Sequence, residues 1–169
     1  METEEFNQLV TPLLQDIANL TRSYFYPNTT LADDAQQTAV FRAWEKRDEL
    51  KDPASFKPWV MQIVVRTCHN MYEKEQRRSR HTGPSIDIMI DNINLVDPAS
   101  LPNQGADLFN AGQRVLDILT EPERLAIILR YQFGYNSSEI EQLTGIIAST
   151  IRTRIQRGLT KLRKHLKGE

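Results

Sequence analysis

Apolar residues recur along this chain at helical spacing, and no stretch alternates with the period of two that a strand requires. Behind Thr11-Pro12, a pair suited to an N-cap followed by proline at the first helical position, come Leu13, Leu14, Ile17, Leu20 and Tyr24. Phe6, Leu9 and Val10 suggest a short turn before them. Pro27-Asn28 breaks the chain, and Thr30-Leu31-Ala32-Asp33 resembles a capping box with Asp in place of Glu. The helix it opens is predicted to run to about Leu50, with Ala35, Val40, Ala43 and Trp44 as its apolar surface. After Asp52-Pro53 a third helix begins near Lys57-Pro58. Its stripe is Trp59, Val60, Ile63, Val64, Thr67, Cys68, Met71 and Tyr72, and it leaves in a basic tail of Lys74, Arg77, Arg78 and Arg80.

Helical spacing returns beyond residue 114. A capping box at Thr120-Glu121-Pro122-Glu123 opens a helix carrying Leu125, Ile128, Leu129 and Phe133, with Gly134 as its stop. A short helix over Ser137–Thr144 points Ile140 and Leu143 inward, Gly145 makes a turn, and a last helix runs from about Ala148 to Leu166. Between the two halves, residues 81–107 contain Gly83, Pro84, Pro98, Pro102 and Gly105 and sustain no periodicity. They read as a flexible linker, with Ile86, Ile88, Met89, Ile90 and Leu95 as weak anchors. The expected fold is all-α, two small helical domains at 1–80 and 108–169.

Composition narrows the function more than the fold. No apolar run approaches the ~18–20 residues of a membrane span. The acidic Met1-Glu2-Thr3-Glu4-Glu5 start lacks the pattern of a secretion signal, and the single cysteine, Cys68, excludes an internal disulfide. No Cys/His cluster has zinc-ligand spacing. His69 follows Cys68, but adjacent helix positions diverge by about 100°, so the two form no catalytic pair. The chain is expected to be cytoplasmic, without catalytic residue, metal or cofactor.

A net charge of −1 conceals an uneven distribution. Residues 1–80 hold 11 Lys/Arg against 12 Asp/Glu, residues 81–113 hold four Asp and no Lys or Arg, and residues 114–169 hold 10 basic against 6 acidic. The excess lies at the end: Arg152, Arg154, Arg157, Lys161, Arg163, Lys164 and Lys167. Such a stripe on one helix suits a phosphate backbone. With Ile151, Ile155, Leu159, Leu162 and Leu166 turned inward, that helix presents Ser149, Arg152, Thr153 and Gln156 outward, flanked by Arg154 and Arg157. Short helix, glycine turn and basic helix make a helix-turn-helix. Its leading polar residues reach base edges in a major groove while the flanking arginines neutralise phosphates.

Both halves resemble a known family. Leu119-Thr120-Glu121-Pro122-Glu123-Arg124 through Leu129-Arg130-Tyr131, then Ser138-Glu139-Ile140 and Thr150-Ile151-Arg152-Thr153-Arg154-Ile155-Gln156-Arg157-Gly158, resemble region 4 of bacterial sigma factors, which contacts the −35 promoter element. Ala32-Asp33-Asp34-Ala35-Gln36-Gln37 with Phe41-Arg42-Ala43-Trp44, and Phe56-Lys57-Pro58-Trp59-Val60-Met61-Gln62-Ile63, are similar to region 2 of the same family. The order and separation resemble the compact extracytoplasmic-function subfamily. The resemblance implies binding to core RNA polymerase, at the β′ clamp helices through Asp33, Asp34, Gln37 and Arg42, and at the β flap. It implies promoter DNA as second partner, an anti-sigma factor as third, and no membrane insertion. Opened −10 strand would meet Lys57, Arg66, Lys74, Arg77 and Arg78.

Other readings of these residues stay open. Asp33, Asp34 and Gln37 also suit a helix start as complements of the dipole, and Trp44 and Trp59, on apolar stripes, read as core rather than base-stacking groups. Arg66, Asn70 and Glu73 depart from the residues common in the family, so base preference at −10 does not transfer. Ile147 stands where a capping Ser is usual, so the cap of the last helix slips to Ser149 or is lost. A helix-turn-helix regulator independent of polymerase, and a sigma-derived adaptor or decoy, are the alternative functions.

Overall fold

The computed structural model describes residues 1–80 and 115–168. The expected linker, 81–107, and the start of the expected second domain lie outside the described residues. All regular structure among the described residues is helical. Grouped by proximity, Met1–Arg22 and the residues from Asn28 through 80 form one compact unit, and 115–168 with Ser23–Pro27 form another.

The first unit begins earlier than the hydrophobic pattern implies. A full helix, α1 (Thr3–Val10), replaces the expected short turn, and the chain passes through a 3-10 turn, Thr11–Leu13, into α2 (Leu14–Phe25). Thr11 is not an N-cap. Its backbone is helical (φ −54°, ψ −46°) and its hydroxyl donates back to the Asn7 carbonyl at 2.6 Å. Pro12 lacks the amide that an α-turn would use, so the chain tightens there instead of starting afresh.

The next cap also lies upstream of its expected place. Asn28 Oδ1 accepts from the Leu31 amide at 3.0 Å, opening α3 (Thr29–Glu45), so Thr30 sits within the first turn. The helix stops five residues short of Leu50. Arg47 ends it by folding its guanidinium over the Trp44 ring, 3.7 Å from the centroid, and donating to the Trp44 carbonyl at 2.8 Å. A last-turn carbonyl thus finds its partner in a side chain. Asp52 Oδ1 then caps a 3-10 turn at Pro53–Ser55, accepting from Ala54, and α4 (Phe56–Arg80) follows.

The buried row of α3 is Ala32, Ala35, Ala39 and Ala43, spaced by three and four, not the Val40 and Trp44 expected, which are only half-buried. These short side chains bring the α3 backbone close to α4, whose buried residues include Phe56, Val60, Met61, Val64, Val65 and Cys68. Trp44 and Trp59 belong to the packing. Trp44 meets Phe6 edge-on at 5.2 Å, Phe6 meets Phe56 at 5.6 Å, and Trp59 lies 5.9 Å from Phe56.

In the second unit a 3-10 turn, Val115–Ile118, precedes α5 (Glu121–Ile127). The Thr120 capping box is present, with Glu123 Oε2 accepting from the Thr120 amide at 3.1 Å. Arg124 adds a clasp, donating to the carbonyls of Leu116 and Leu119 at 3.1 and 3.3 Å. Where one helix is expected to reach Phe133, the chain widens into a π turn, Ile128–Gln132, in which the Phe133 amide bonds the Ile128 carbonyl. Two further helices follow, α6 (Ser137–Thr144) and α7 (Ala148–Leu166); α7 packs on α5, α6 packs on α7 and the π turn, and the buried residues are Leu125, Leu129, Ile140, Leu143, Ile151, Ile155 and Leu159. The inward stripe of α7 is shorter than its sequence spacing suggests: Leu162 is half-buried and Leu166 is 64% exposed. Gly158 is buried, and a Cβ there would lie 2.3 Å from Ile127 Cδ1, so α5 and α7 approach at a point that only glycine fits without a shift.

Candidate nucleic-acid and polymerase interfaces

The helix-turn-helix is α6, its turn and α7. Asn136 caps α6 through the Glu139 amide at 2.9 Å, and Glu139 returns the contact by accepting from the Asn136 amide at 2.8 Å. Gly145 closes α6 in the left-handed conformation (φ 77°), which a side chain at that position would resist. Thr144 Oγ1 accepts from the Ile146 amide at 3.2 Å, and α7 begins two residues later. The turn is therefore held at both ends by short polar contacts, and it delivers the α7 N-terminus to the surface.

Ile147 is the N-cap of α7 and has no side chain to offer its amides. Of the two expected outcomes the second holds: the N-cap makes no side-chain cap, and Ser149 does not take it over. Glu141 of α6 accepts from the Ala148 amide at 3.1 Å, supplying an acceptor from the neighbouring helix. Ser149 is left on the surface, its carbonyl taking the Thr153 hydroxyl at 3.1 Å. Sequence reading missed Glu141 because its partner comes from across the turn.

Ser149, Arg152, Thr153 and Arg157 are exposed, while Arg154 and Gln156 are half-buried. Ser149, Arg152, Thr153 and Gln156 span about 100° of one side of α7, with Thr153 most nearly opposite Ile155 and Arg152 at the edge nearest Leu159. Arg157 and Arg154 stand progressively further round. Lys161 does not belong to the outward charge. Its Nζ donates to Glu123 Oε2 at 2.8 Å, and both side chains are largely withdrawn from water. Arg130 and Tyr131 are exposed on the π turn, and burial of the remainder of the ring pushes the Tyr131 hydroxyl above its usual pKa, against the opposing charge of Arg130.

On α4, Arg66, Asn70, Glu73, Arg77 and Arg80 form an exposed row, with Lys74 and Arg78 along its side. Arg78 faces Glu75 at 3.8 Å. Lys57 stands apart. Nine residues from Arg66, it is about half a turn round the helix, and its ammonium is paired with Asp16 at 3.5 Å. Four of the five basic residues expected at the −10 strand thus share a side of α4, and the fifth does not.

On α3, Asp33, Asp34 and Gln37 are exposed, but the Arg42 guanidinium turns toward α4 and donates to Thr67 Oγ1 at 3.3 Å. Phe41 was not among the candidate residues. It is 59% exposed, one helical turn beyond Gln37. The alanine row locates it, because burying 32, 35, 39 and 43 turns position 41 outward.

The described residues thus define a helical protein with a helix-turn-helix in one unit and exposed acidic, apolar and basic helix surfaces in the other. Two family models match: Sigma-70 region 2 over residues 9–78, and Sigma-70 region 4 over residues 112–162. The chain belongs to the sigma-70 family, as an extracytoplasmic-function sigma factor, a protein that directs transcription initiation by RNA polymerase.

It is 28% identical over 162 residues to the RNA polymerase sigma factor SigV of Bacillus subtilis, covering 95% of this chain and 90% of that one. It is 27% identical to the ECF RNA polymerase sigma-E factor of Escherichia coli, covering 92% and 83%. A probable RNA polymerase sigma factor of Xanthomonas campestris, RfaY, is 28% identical over 138 residues, and there the chain spans about a third of the relative's length (34%). Among solved structures, RpoE of Bartonella quintana in complex with the anti-sigma factor NepR matches with a TM-score of 0.71 at 23% identity, covering 98% of both chains. CnrH in complex with the cytosolic domain of CnrY matches with a TM-score of 0.67 at 22% identity, covering 99% of this chain and 91% of that one. No described helix is long and apolar enough to cross a membrane, and no group of His, Cys, Asp or Glu among the described residues is placed to hold a metal.

Proposed function

We propose that residues 108–169 read the −35 element through the outward face of α7, and that residues 1–80 bind core polymerase and handle the −10 element, with 81–107 joining them. The observation that carries the reading is the division of α7. Ile151, Ile155 and Leu159 are buried, whereas Ser149, Arg152 and Thr153 stand exposed near the leading end. In a helix-turn-helix that end enters the major groove, so Ser149, Arg152, Thr153 and Gln156 address base edges, and Arg154 and Arg157 address phosphates.

Core polymerase is assigned to α3, through Asp33, Asp34 and Gln37, with Phe41 as an apolar anchor. An exposed aromatic beside carboxylates suits a basic, partly apolar helical partner such as the β′ clamp helices. Arg42 holds the packing of α3 on α4 instead. The β flap is the second contact on the enzyme. Arg66, Lys74, Arg77 and Arg78 face opened strand, Lys57 contributing from the start of α4. One structural neighbour was solved with the anti-sigma factor NepR and the other with the cytosolic domain of CnrY, and the first of these supports an anti-sigma factor for this chain too. The protein acts in the cytoplasm, where core polymerase is, and performs no chemistry of its own.

Run-off transcription tests the whole reading. Purified core polymerase with this chain should initiate at discrete positions on genomic templates that core alone does not use. Binding to core without initiation would identify a decoy, and DNA binding without core association a free-standing regulator.

A further inference from the structure

A single exposed apolar side chain is ordinary on a protein surface, so exposure alone does not distinguish Ile147. Its position does. Ile147 is 63% exposed in the turn of the helix-turn-helix, two residues before Ser149. Its backbone is held on both sides. The Ile147 carbonyl accepts from the Ile151 amide at 3.1 Å, and the next amide, Ala148, is bound to Glu141 at 3.1 Å. A hydroxyl residue here would turn its side chain onto the helix amides. With Glu141 filling part of that role, residue 147 is released from capping. The Glu141 carboxylate already holds the Ala148 amide, so Ile147 adds an uncommitted apolar side chain beside the polar groups at this end of α7.

We propose that Ile147 is a specificity-determining residue that packs on the 5-methyl group of a thymine at one end of the −35 element. The inference rests on the assignment of −35 reading to α7. Thymine carries the one methyl group that a standard base pair shows in the major groove, and apolar side chains distinguish it there. Ile147 stands exposed at the leading end of α7, two residues before Ser149, and its aliphatic branches bring to that end the complementary chemistry for the methyl.

The test uses holoenzyme, the full chain with core polymerase, and promoters it selects from a library randomised across the −35 element. Each thymine of the selected element is then replaced by deoxyuridine, which removes only the methyl. Wild type should lose roughly fourfold in affinity at one thymine, the ratio expected for burying about one methyl group. Ile147→Ala should show the same loss on thymine DNA and no further loss on deoxyuridine DNA, and Ile147→Val should retain most of the discrimination. Holoenzyme that selects a common −35 sequence but responds to deoxyuridine alike in wild type and Ile147→Ala overturns the Ile147 assignment alone. Holoenzyme that selects no −35 sequence overturns it together with the −35 reading. Because Ile147 is mostly solvent-exposed, a matched melting temperature for Ile147→Ala excludes misfolding as the source of any loss.

Discussion

Lys161 Nζ donates to Glu123 Oε2 at 2.8 Å, and the same oxygen accepts from the Thr120 amide at 3.1 Å, so one carboxylate joins the start of α5 to the middle of α7. A lysine in the basic stripe is thereby part of the fold. Lys161→Ala should lower stability by about 1–3 kcal/mol, because it leaves a buried carboxylate short of a donor. Lys164→Ala, exposed on the same helix, should leave the melting temperature unchanged. Thermal denaturation of both variants checks this, and a Lys161→Ala protein of full stability with weakened DNA binding would return Lys161 to the interface.

Gly158→Ala should destabilise the second unit by about 1–3 kcal/mol, since the added methyl collides with Ile127 Cδ1 in a packed interface. Ile127→Val removes the colliding atom. The double variant should therefore be more stable than the sum of the single losses, a coupling that a double-mutant cycle in urea measures. Simple additivity would mean that the clash is relieved elsewhere.

Arg152→Ala should cost about 1–3 kcal/mol of binding on the selected −35 sequence and much less on random DNA. Arg157→Ala, further round the helix, should weaken both alike and flatten the salt dependence. Titrations at two salt concentrations on both DNAs separate the roles. Equal losses from Arg152→Ala on specific and random DNA would reassign it to the phosphates.

For the polymerase surface, charge reversal at Asp33 and Asp34, and separately Phe41→Ala, should each reduce capture of core enzyme while leaving helical content intact. All three side chains are exposed, so the core of the unit is untouched. Arg42→Ala should behave differently, loosening α3 from α4 through the lost Thr67 contact and lowering the melting temperature. Undiminished capture by the Asp33/Asp34 variant would leave those acids as helix-dipole partners only.

Helix identity and the outward face of α7 were legible in the sequence because both depend on spacing along one segment. Ser137–Thr144 and its glycine stop, the Thr120-Glu121-Pro122-Glu123 box and the Ile151–Ile155–Leu159 stripe follow from residues within a turn of one another. Caps that compete locally were harder to place. Thr11 and Thr30 are good N-cap residues by type, but Pro12 permits a continuous turn and Asn28 takes the role two residues earlier.

What tertiary structure decided is which of several chemically equivalent residues meets a partner from another segment. Ala39 is buried while Val40, the more hydrophobic neighbour, is not, because close approach of α3 to α4 rewards small side chains over large ones. Lys161 and Lys164 are the same residue type on the same helix, yet only Lys161 lies over Glu123. Glu141 reaches Ala148 across a turn, and Arg42 reaches Thr67 across the helix pair. By itself the sequence determined that this chain forms amphipathic helices, where its basic helix lies and which family it resembles, since composition and period are properties of one strand of chain. Which charges remain exposed was settled by packing, because a side chain is withdrawn from the surface only when a second segment arrives to hold it.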